Sequence, residues 1–286
     1  MAITAAQVKE LREKTGAGMM DCQRALSEAN GDVDEAVKIL RKKGLSAAAK
    51  KAGRTAKDGL VTVAVAADRS AAGMVELNCE TDFVARTDRY QEFAAALAEQ
   101  VMADDASDVE KVKGLRCAAD PSHTVAEAIA SQIATIGENI LLSRVASLRA
   151  SAGMQLGSYV HMGGKIGVIV ELSAAATEET VKDVAMHIAA AEPRFVSRDT
   201  VPQAVIDEER EIARAQATAT GKPAQVVEKI AEGKLGKVYE QVCLVEQPFV
   251  KNPEQKVADM LKERGGVAVA RFVRFKLGEG VAAETA

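Results

Sequence analysis

Three histidines and four cysteines are the side chains of this 286-residue chain best suited to nucleophilic or metal chemistry, and their spacing supports neither. His123, His161 and His187 form no HxxxH or HExxH pattern, which would place two ligands on one helix face. Cys22, Cys79, Cys117 and Cys243 lie far apart with no CxxC pair, so reduced thiols are expected rather than a zinc knuckle or a disulfide framework. A G-x-S-x-G elbow and a G-x-x-x-x-G-K-[ST] loop are both missing, and the Gly-Ala-Gly at 16–18 and Gly-Glu-Gly at 278–280 are too short to cradle a phosphate. Covalent chemistry, a bound metal and a cofactor are therefore not expected. Binding is the better default.

Asp82-Phe83, within Asn78-Cys79-Glu80-Thr81-Asp82-Phe83-Val84-Ala85, is the sharpest binding candidate. An acidic residue and an aromatic knob at an exposed corner suit a partner: the Phe enters a pocket and the Asp reorients polar groups. The plain structural alternative has equal standing on spacing alone. Thr81 N-caps a helix, Asp82 complements its dipole and Phe83 packs beneath a sheet. Met19-Met20 divides in the same way, and helical spacing predicts one methionine in the core and the other on an adaptable surface. His161 and Lys165 flank a hairpin turn, where solvation or contact are both open. Ile136-Gly137 ends a helix, with Gly137 as its ordinary C-cap.

Several elements must position these residues. Thr4 with Gln7 opens a helix that stops at Thr15-Gly16, a second runs from about Met20 to Ala29, and a third begins at Asp32 and ends at Gly44. These make a minimal three-helix bundle, followed by the basic, alanine-rich LSAAAKKAGRTAKDG, read as a partly helical linker. Strand alternation then sets in at Leu60 to Ala66 and Gly73 to Cys79, joined through Asp68-Arg69-Ser70. Helices are expected over about Gln91 to Ala103 and Thr124 to Ile136, with a strand from Glu138 to Ser147.

The chain repeats itself. GLVTVAVAADRSAAGMVEL recurs in outline as GSYVHMGGKIGVIVEL, each ending in Val-Glu-Leu and each followed by an amphipathic helix. The first copy holds about seven extra residues between hairpin and helix. Asp82-Phe83 falls among them, and an insertion at such a corner is a natural place for function. Thr200 to Glu232, split by Thr220-Gly221-Lys222-Pro223, reads as a projecting helical hairpin. KVYEQVCLVEQPFV reads as strand, followed by a helix at about Lys256 to Arg264 and a last strand, Val267 to Leu277. The expected fold class is α+β: a bundle and linker over 1–54, a first core subdomain over 55–150, a second over 151–199 and 233–281, and an inserted hairpin over 200–232.

Composition bounds the partner. Hydrophobic residues make up 48% and charged residues 27%, which is ordinary globular composition. Aromatics are 3% with no Trp, so single-stranded nucleic acid lacks its stacking platform. The net charge of −4 gives no overall attraction to phosphate backbones, which disfavours DNA and RNA. No apolar run approaches a membrane span and the N-terminus lacks an apolar targeting core, so a cytoplasmic location is expected.

LREKTGAGMMDCQRAL (Leu11 to Leu26) and ELNCETDFVAR (Glu76 to Arg86) resemble the two signature segments of the bacterial elongation factor Ts family. The likeness continues through IGENI (Ile136 to Ile140), GSYVH (Gly157 to His161), MHIAAAEPRFV (Met186 to Val196), Gly221-Lys222-Pro223 and QPFV (Gln247 to Val250). The resemblance implies a guanine nucleotide exchange factor for elongation factor Tu, acting in translation without covalent chemistry. It implies a ubiquitin-associated-like N-terminal domain that docks through Arg12, Met19 and Met20. Thr81, Asp82, Phe83 and Val84 would press near the partner's magnesium and phosphate site, with Ile136 and Gly137 beside them, and His161 would meet another partner domain. The helical hairpin resembles the family's coiled-coil excursion, which would serve a homodimer. Gln23 stands where the family usually has Lys, and Gly280 to Ala286 stand where some relatives continue into a further partner-touching helix.

Overall fold

The structure is a computed structural model that describes residues 3–219, 221 and 223–279. Thr4 opens α1 (Ala5–Thr15) with a capping box to Gln7, and Gly16 closes it in left-handed backbone at φ 65°. α2 (Met19–Glu28) and α3 (Val33–Lys51), capped by Asp32, complete the bundle around Leu11, Cys22, Ala25, Leu26 and Ala36. α3 runs past Gly44, where the sequence predicts its end. Gly44 lies on the face of α3 that packs on the core, where a Cβ would stand at ordinary contact distance, 3.6 Å, from the Ala130 carbonyl oxygen. That packing outweighs a glycine's helix penalty of about 1 kcal/mol. The first seven residues of the expected linker, Leu45 to Lys51, are thus helix, in keeping with its partly helical reading, and Lys51 donates to the Ile133 carbonyl at 3.2 Å.

The first core repeat comprises β1 (Asp58–Val65), β2 (Ala71–Cys79), α4 (Asp82–Ala85), α5 (Asp88–Asp104), α6 (Val109–Gly114), β3 (Arg116–Cys117), β4 (Asp120–Thr124), α7 (Val125–Ile136) and β5 (Ile140–Arg149). Its antiparallel sheet has the order β1-β2-β5. The second comprises β6 (Met154–His161), β7 (Ile166–Ser173), α8 (Glu178–Ala191), α9 (Gln203–Thr218), α10 (Ala224–Val242), β8 (Pro248–Phe249), β9 (Asn252–Lys256), α11 (Val257–Glu263) and β10 (Val269–Lys276), with the order β10-β7-β6. Each sheet packs helices on one face. Val61, Met74, Leu156, Ile169 and Phe275 form a further core that both sheets share. The α+β class and its bundle, paired repeats and helical hairpin are those expected from the sequence.

Two readings of the sequence are corrected. KVYEQV is not strand: α10 continues through it to Val242, ten residues beyond the expected hairpin boundary at 232. Val227, Ala231 and Leu235 recur every four residues and are buried, as are Ala213 and Ala217 of α9, so a helical face decides where a six-residue alternation misleads. The polar stretch before α7 also holds more structure than expected, namely α6 and the β3–β4 ladder. Thr220 and Lys222 of the expected hairpin turn, and Gly280 to Ala286, lie outside the described residues.

The two repeats correspond in detail. Central-strand Glu76 and Glu171 are both buried, and each bonds at 2.5 Å to an arginine on its third strand, Arg144 or Arg271. Those arginines cross over: Arg144 donates to the Lys276 carbonyl and Arg271 to the Arg149 carbonyl, each at 2.7 Å. The same glutamates take the N–H of Gly278 and of Ser151, where the chain leaves the opposite repeat. The hairpin turns are exchanged too, with Val61 N–H on the Gly164 carbonyl and Leu156 N–H on the Arg69 carbonyl. This reciprocity is that of a two-fold axis between duplicated units. Charged groups this deep are tolerable because each carboxylate oxygen has a donor.

Candidate functional site

Corresponding residues are 95 positions apart in the hairpins, as Glu76 and Glu171 are, but 87 apart at the helix ends, where Asp105 and Glu192 take left-handed C-cap backbone. The first repeat therefore holds eight more residues between its hairpin and the end of its main helix: the link from β2 to α5 has eight residues against four from β7 to α8, and α5 is three residues longer than α8. The longer link builds an exposed corner. Thr81 is extended, and its Oγ1 accepts the Val84 N–H at 3.5 Å to start the single turn of α4. Ala85 is buried and Val84 packs against the first core. Phe83 is left 79% exposed, which excludes the reading that packs it beneath the sheet. Asp82 pairs with Arg86 one turn on, at 2.7 Å, and stays partly exposed.

A second element reaches the same corner. Thr124 opens α7 with a capping box, and Gly137 closes it at φ +92°, a conformation that favours glycine. Ile136 packs against the first core and Gly137 is exposed. The next residue, Glu138, turns back on the corner. Its Oε2 accepts the N–H groups of Glu80 (3.1 Å) and Thr81 (3.0 Å), and its Oε1 accepts the Thr81 hydroxyl at 2.6 Å. Glu80 answers by accepting the Asn139 N–H at 2.6 Å. Asn139 Nδ2 donates to the carbonyl of Arg54, the residue that carries the chain from the bundle into the core.

Arg12, Met19 and Met20 stand on the bundle. Both methionines are exposed, at 59% and 65%, so the expected division of the pair is wrong. They occupy the first two positions of α2, whose inward face begins only at Cys22 and continues with Ala25 and Leu26. The loop before them lies over the core: a Cβ on Gly16 would come 2.9 Å from the Arg89 guanidinium, and Arg89 donates to Gln132 of α7 at 2.9 Å. Arg89 thus links the methionine loop, the start of α5 just after the Phe83 turn, and α7. His161 stands apart from that cluster, at the end of β6. Its ring stacks on Tyr159 and its Nδ1 lies 3.1 Å from the Tyr159 hydroxyl.

The cysteines offer the site no exposed thiol: all four are free and buried. Burial pushes the Cys79 thiol up to about 11, and its Sγ lies against the Thr81 carbonyl at 3.1 Å. Burial likewise raises the Tyr90 phenol, whose hydroxyl donates to the Leu77 carbonyl. What the corner offers is shape: an exposed ring and a carboxylate on a braced turn.

Sequence reasoning missed the brace formed by Glu80, Glu138, Asn139 and Arg54. One signal pointed to it. Glu138 sits just past a helix C-terminus, where the dipole disfavours negative charge, so an acid there needs N–H donors from elsewhere.

Residues 80–279 match the family model described as Elongation factor TS. Over 98% of its length the chain is 46% identical to Elongation factor Ts of Trichlorobacter lovleyi, covering 94% of that protein. It is 47% identical over its full length to Elongation factor Ts of Thioalkalivibrio sulfidiphilus, with 95% of that protein covered, and 44% identical to that of Clostridium novyi, with 94% covered. These matches span both repeats and the corner between β2 and α5, and the chain belongs to the elongation factor Ts family.

Proposed function

We propose that this chain is a guanine nucleotide exchange factor: it binds elongation factor Tu carrying GDP, weakens the hold on the nucleotide and promotes replacement by GTP. The observation that carries this reading is Phe83, an exposed aromatic on a braced turn, within a link of eight residues where the second repeat has four. No covalent bond is made or broken.

Exchange is a coupling between two ligands. A factor that binds nucleotide-free partner more tightly than GDP-bound partner is itself loosened by GDP in the same ratio. A shift of about 10⁴ needs roughly 5.5 kcal/mol of differential binding. Burying one Phe supplies about 1.5 to 3 kcal/mol, so Phe83 does not suffice alone. Asp82, the Ile136–Gly137 end and the Met19-Met20 loop with Arg12 supply the rest, and His161 anchors the second repeat on another part of the partner. A carboxylate is a poor direct neighbour for phosphate. Asp82 therefore acts by displacing groups that support magnesium, whose loss removes the largest local positive charge on the nucleotide.

Release of a fluorescent GDP analogue from elongation factor Tu, followed by rapid mixing, tests the reading. Wild type accelerates release, and Phe83→Ala loses about tenfold or more of that acceleration while remaining folded. Asp82→Ala loses less, and its deficit shrinks when magnesium is removed. An unchanged release rate with wild type and a cognate partner overturns the exchange reading, and equal acceleration with and without magnesium overturns the metal route.

A further inference from the structure

We infer that Glu138 is a positioning residue for exchange: with Glu80 in return, it locks the Asp82–Phe83 turn to the Ile136–Gly137 helix end, so that both meet the partner as one body. The inference rests on the exchange reading above and adds the device that makes the surface rigid.

The geometry is reciprocal. Glu138, on the chain leaving α7, holds two backbone N–H groups and the hydroxyl at the entrance to the turn, all within 3.1 Å. Glu80, at that entrance, holds the Asn139 backbone N–H at 2.6 Å. Neither segment can shift along the other without breaking bonds in both directions. Two carboxylates lie close together here, an arrangement that repels unless each is met by donors. Each is met by backbone N–H groups, and Arg54 adds its guanidinium 3.5 Å from Glu80. Asn139, almost wholly buried, ties the Arg54 carbonyl to the same knot, so the linker from the bundle enters it as well.

The brace is confined to the repeat that carries the corner. At the spacing that relates the hairpins, Glu80 corresponds to Ala175, and at the spacing that relates the third strands, Glu138 corresponds to Gly265. A duplicated scaffold that folds without these carboxylates in one copy does not need them for its sheet. It needs them where a one-turn helix must hold an exposed ring still. Ordering a loop on binding subtracts from affinity, and a turn ordered in advance avoids that cost.

The test measures GDP-analogue release against concentration of the full-length factor, separating the rate at saturation from the concentration at half-saturation. Glu138→Ala is expected to lower the saturating rate about tenfold, the scale of losing charge-assisted hydrogen bonds, while thermal unfolding stays cooperative at a modestly lower midpoint. In a Phe83→Ala background the same change is expected to cost about twofold to threefold, because the largest contact it positions is gone and only the shares of Asp82 and the Ile136–Gly137 end remain. Glu138→Gln keeps one acceptor oxygen and is expected to recover part of the rate, with amide exchange at Glu80 and Thr81 intermediate between wild type and Glu138→Ala. If Glu138→Ala does not fold, Glu138→Gln carries the comparison in both backgrounds. A Glu138 loss that persists in full beside Phe83→Ala overturns the inference, as do open Glu80 and Thr81 amides with an undiminished rate. An active wild type beside an equally active Glu138→Ala removes this inference alone, whereas an inactive wild type removes the exchange reading beneath it.

Discussion

The two core repeats share a skeleton and differ in what they add to it. Both centre on a buried glutamate bonded to an arginine of the third strand and to a backbone N–H of the other repeat. Both end their main helix on a left-handed acidic residue, Asp105 or Glu192, facing basic residues of the third strand. The first repeat adds a longer link at the Phe83 corner and a longer final helix, Val125–Ile136 against Val257–Glu263. The second adds the helical hairpin of α9 and α10. Residues shared by both copies hold the fold, whereas residues present in one copy are free to serve a partner. That separation gives stability to Glu76, Arg144, Glu171 and Arg271, and leaves Asp82, Phe83 and the Ile136–Gly137 end to the exchange proposed above.

The sharpest way to break this division is to strike the shared pair in each copy. Glu76→Ala takes the buried carboxylate from Arg144, whose side chain is only 24% exposed, and leaves the Gly278 N–H without its acceptor. We expect a loss of about 3 kcal/mol in urea-induced unfolding. Glu171→Ala leaves Arg271, which is 49% exposed and recovers solvation, so about 1 to 2 kcal/mol is expected. Equal losses would contradict the burial argument. The pair also has a pH signature. Burial works to raise the Glu171 carboxyl, but the Ser151 N–H and Arg271 together hold it below the usual carboxylate range. Its folded value is depressed, so its contribution is complete above the unfolded value, near pH 4, and fades as pH falls through the folded one. Glu171→Gln should flatten the acid limb of the stability curve.

Helix-to-sheet spacing separates the copies at a lower energy. In the first repeat α5 approaches β2 at Gly73, where a Cβ would meet the Ala98 carbonyl oxygen at 2.4 Å and the Met102 nitrogen at 2.5 Å. The corresponding residue of the second repeat is Val168, and there α8 approaches instead at Gly157, where a Cβ would meet only the Val181 side chain. Backbone cannot give way as a side chain can. Gly73→Ala is expected to cost about 2 to 3 kcal/mol and Gly157→Ala about 1 kcal/mol by thermal unfolding. The reverse order would mean that α5 is free to lift from its sheet.

Much of this organisation was legible in the chain. The repeated Val-Glu-Leu marked both central strands, and the mismatch between copies placed an insertion at Asp82-Phe83, although α5 takes up part of the extra length. Caps at Thr4, Thr124, Gly16 and Gly137 fixed helix ends because each has a local cause in a side-chain acceptor or a left-handed glycine. What escaped depends on distant contacts. Gly44 stays helical where α3 packs on α7, whose Ala130 lies nearly ninety residues on. The Glu138 brace joins residues 57 and 58 apart in sequence. Spacing within a window carries no trace of either. The exposure of Phe83, the property on which its proposed role turns, could not be weighed until Ala85 and Val84 were seen to fill the space beneath the turn.

The smallest expected effect exchanges a residue between copies. Gln100 and His187 occupy corresponding places, and each binds the short ladder of its own repeat. Gln100 Oε1 accepts the Ala118 N–H at 2.9 Å and its Nε2 donates to the Arg116 carbonyl, while His187 Nδ1 accepts the Val250 N–H at 3.2 Å and its Nε2 lies 2.9 Å from Gln247 Oε1. Since Nδ1 accepts, Nε2 carries the proton and the ring is neutral. Burial holds His187 below the usual histidine range, more than the Gln247 bond restores. The unfolded chain therefore takes up this proton before the folded one does. Stability attributable to His187 is full above the unfolded value, about 6.5, and is lost as pH falls toward the folded one. His187→Gln supplies the acceptor and donor that the first copy already uses, so about 1 kcal/mol or less is expected at pH 7.5. Below pH 6 the variant should lose less stability than wild type, which urea titrations at the two pH values would read. A variant that retains the wild-type pH slope would show that the two ladders are held by different means.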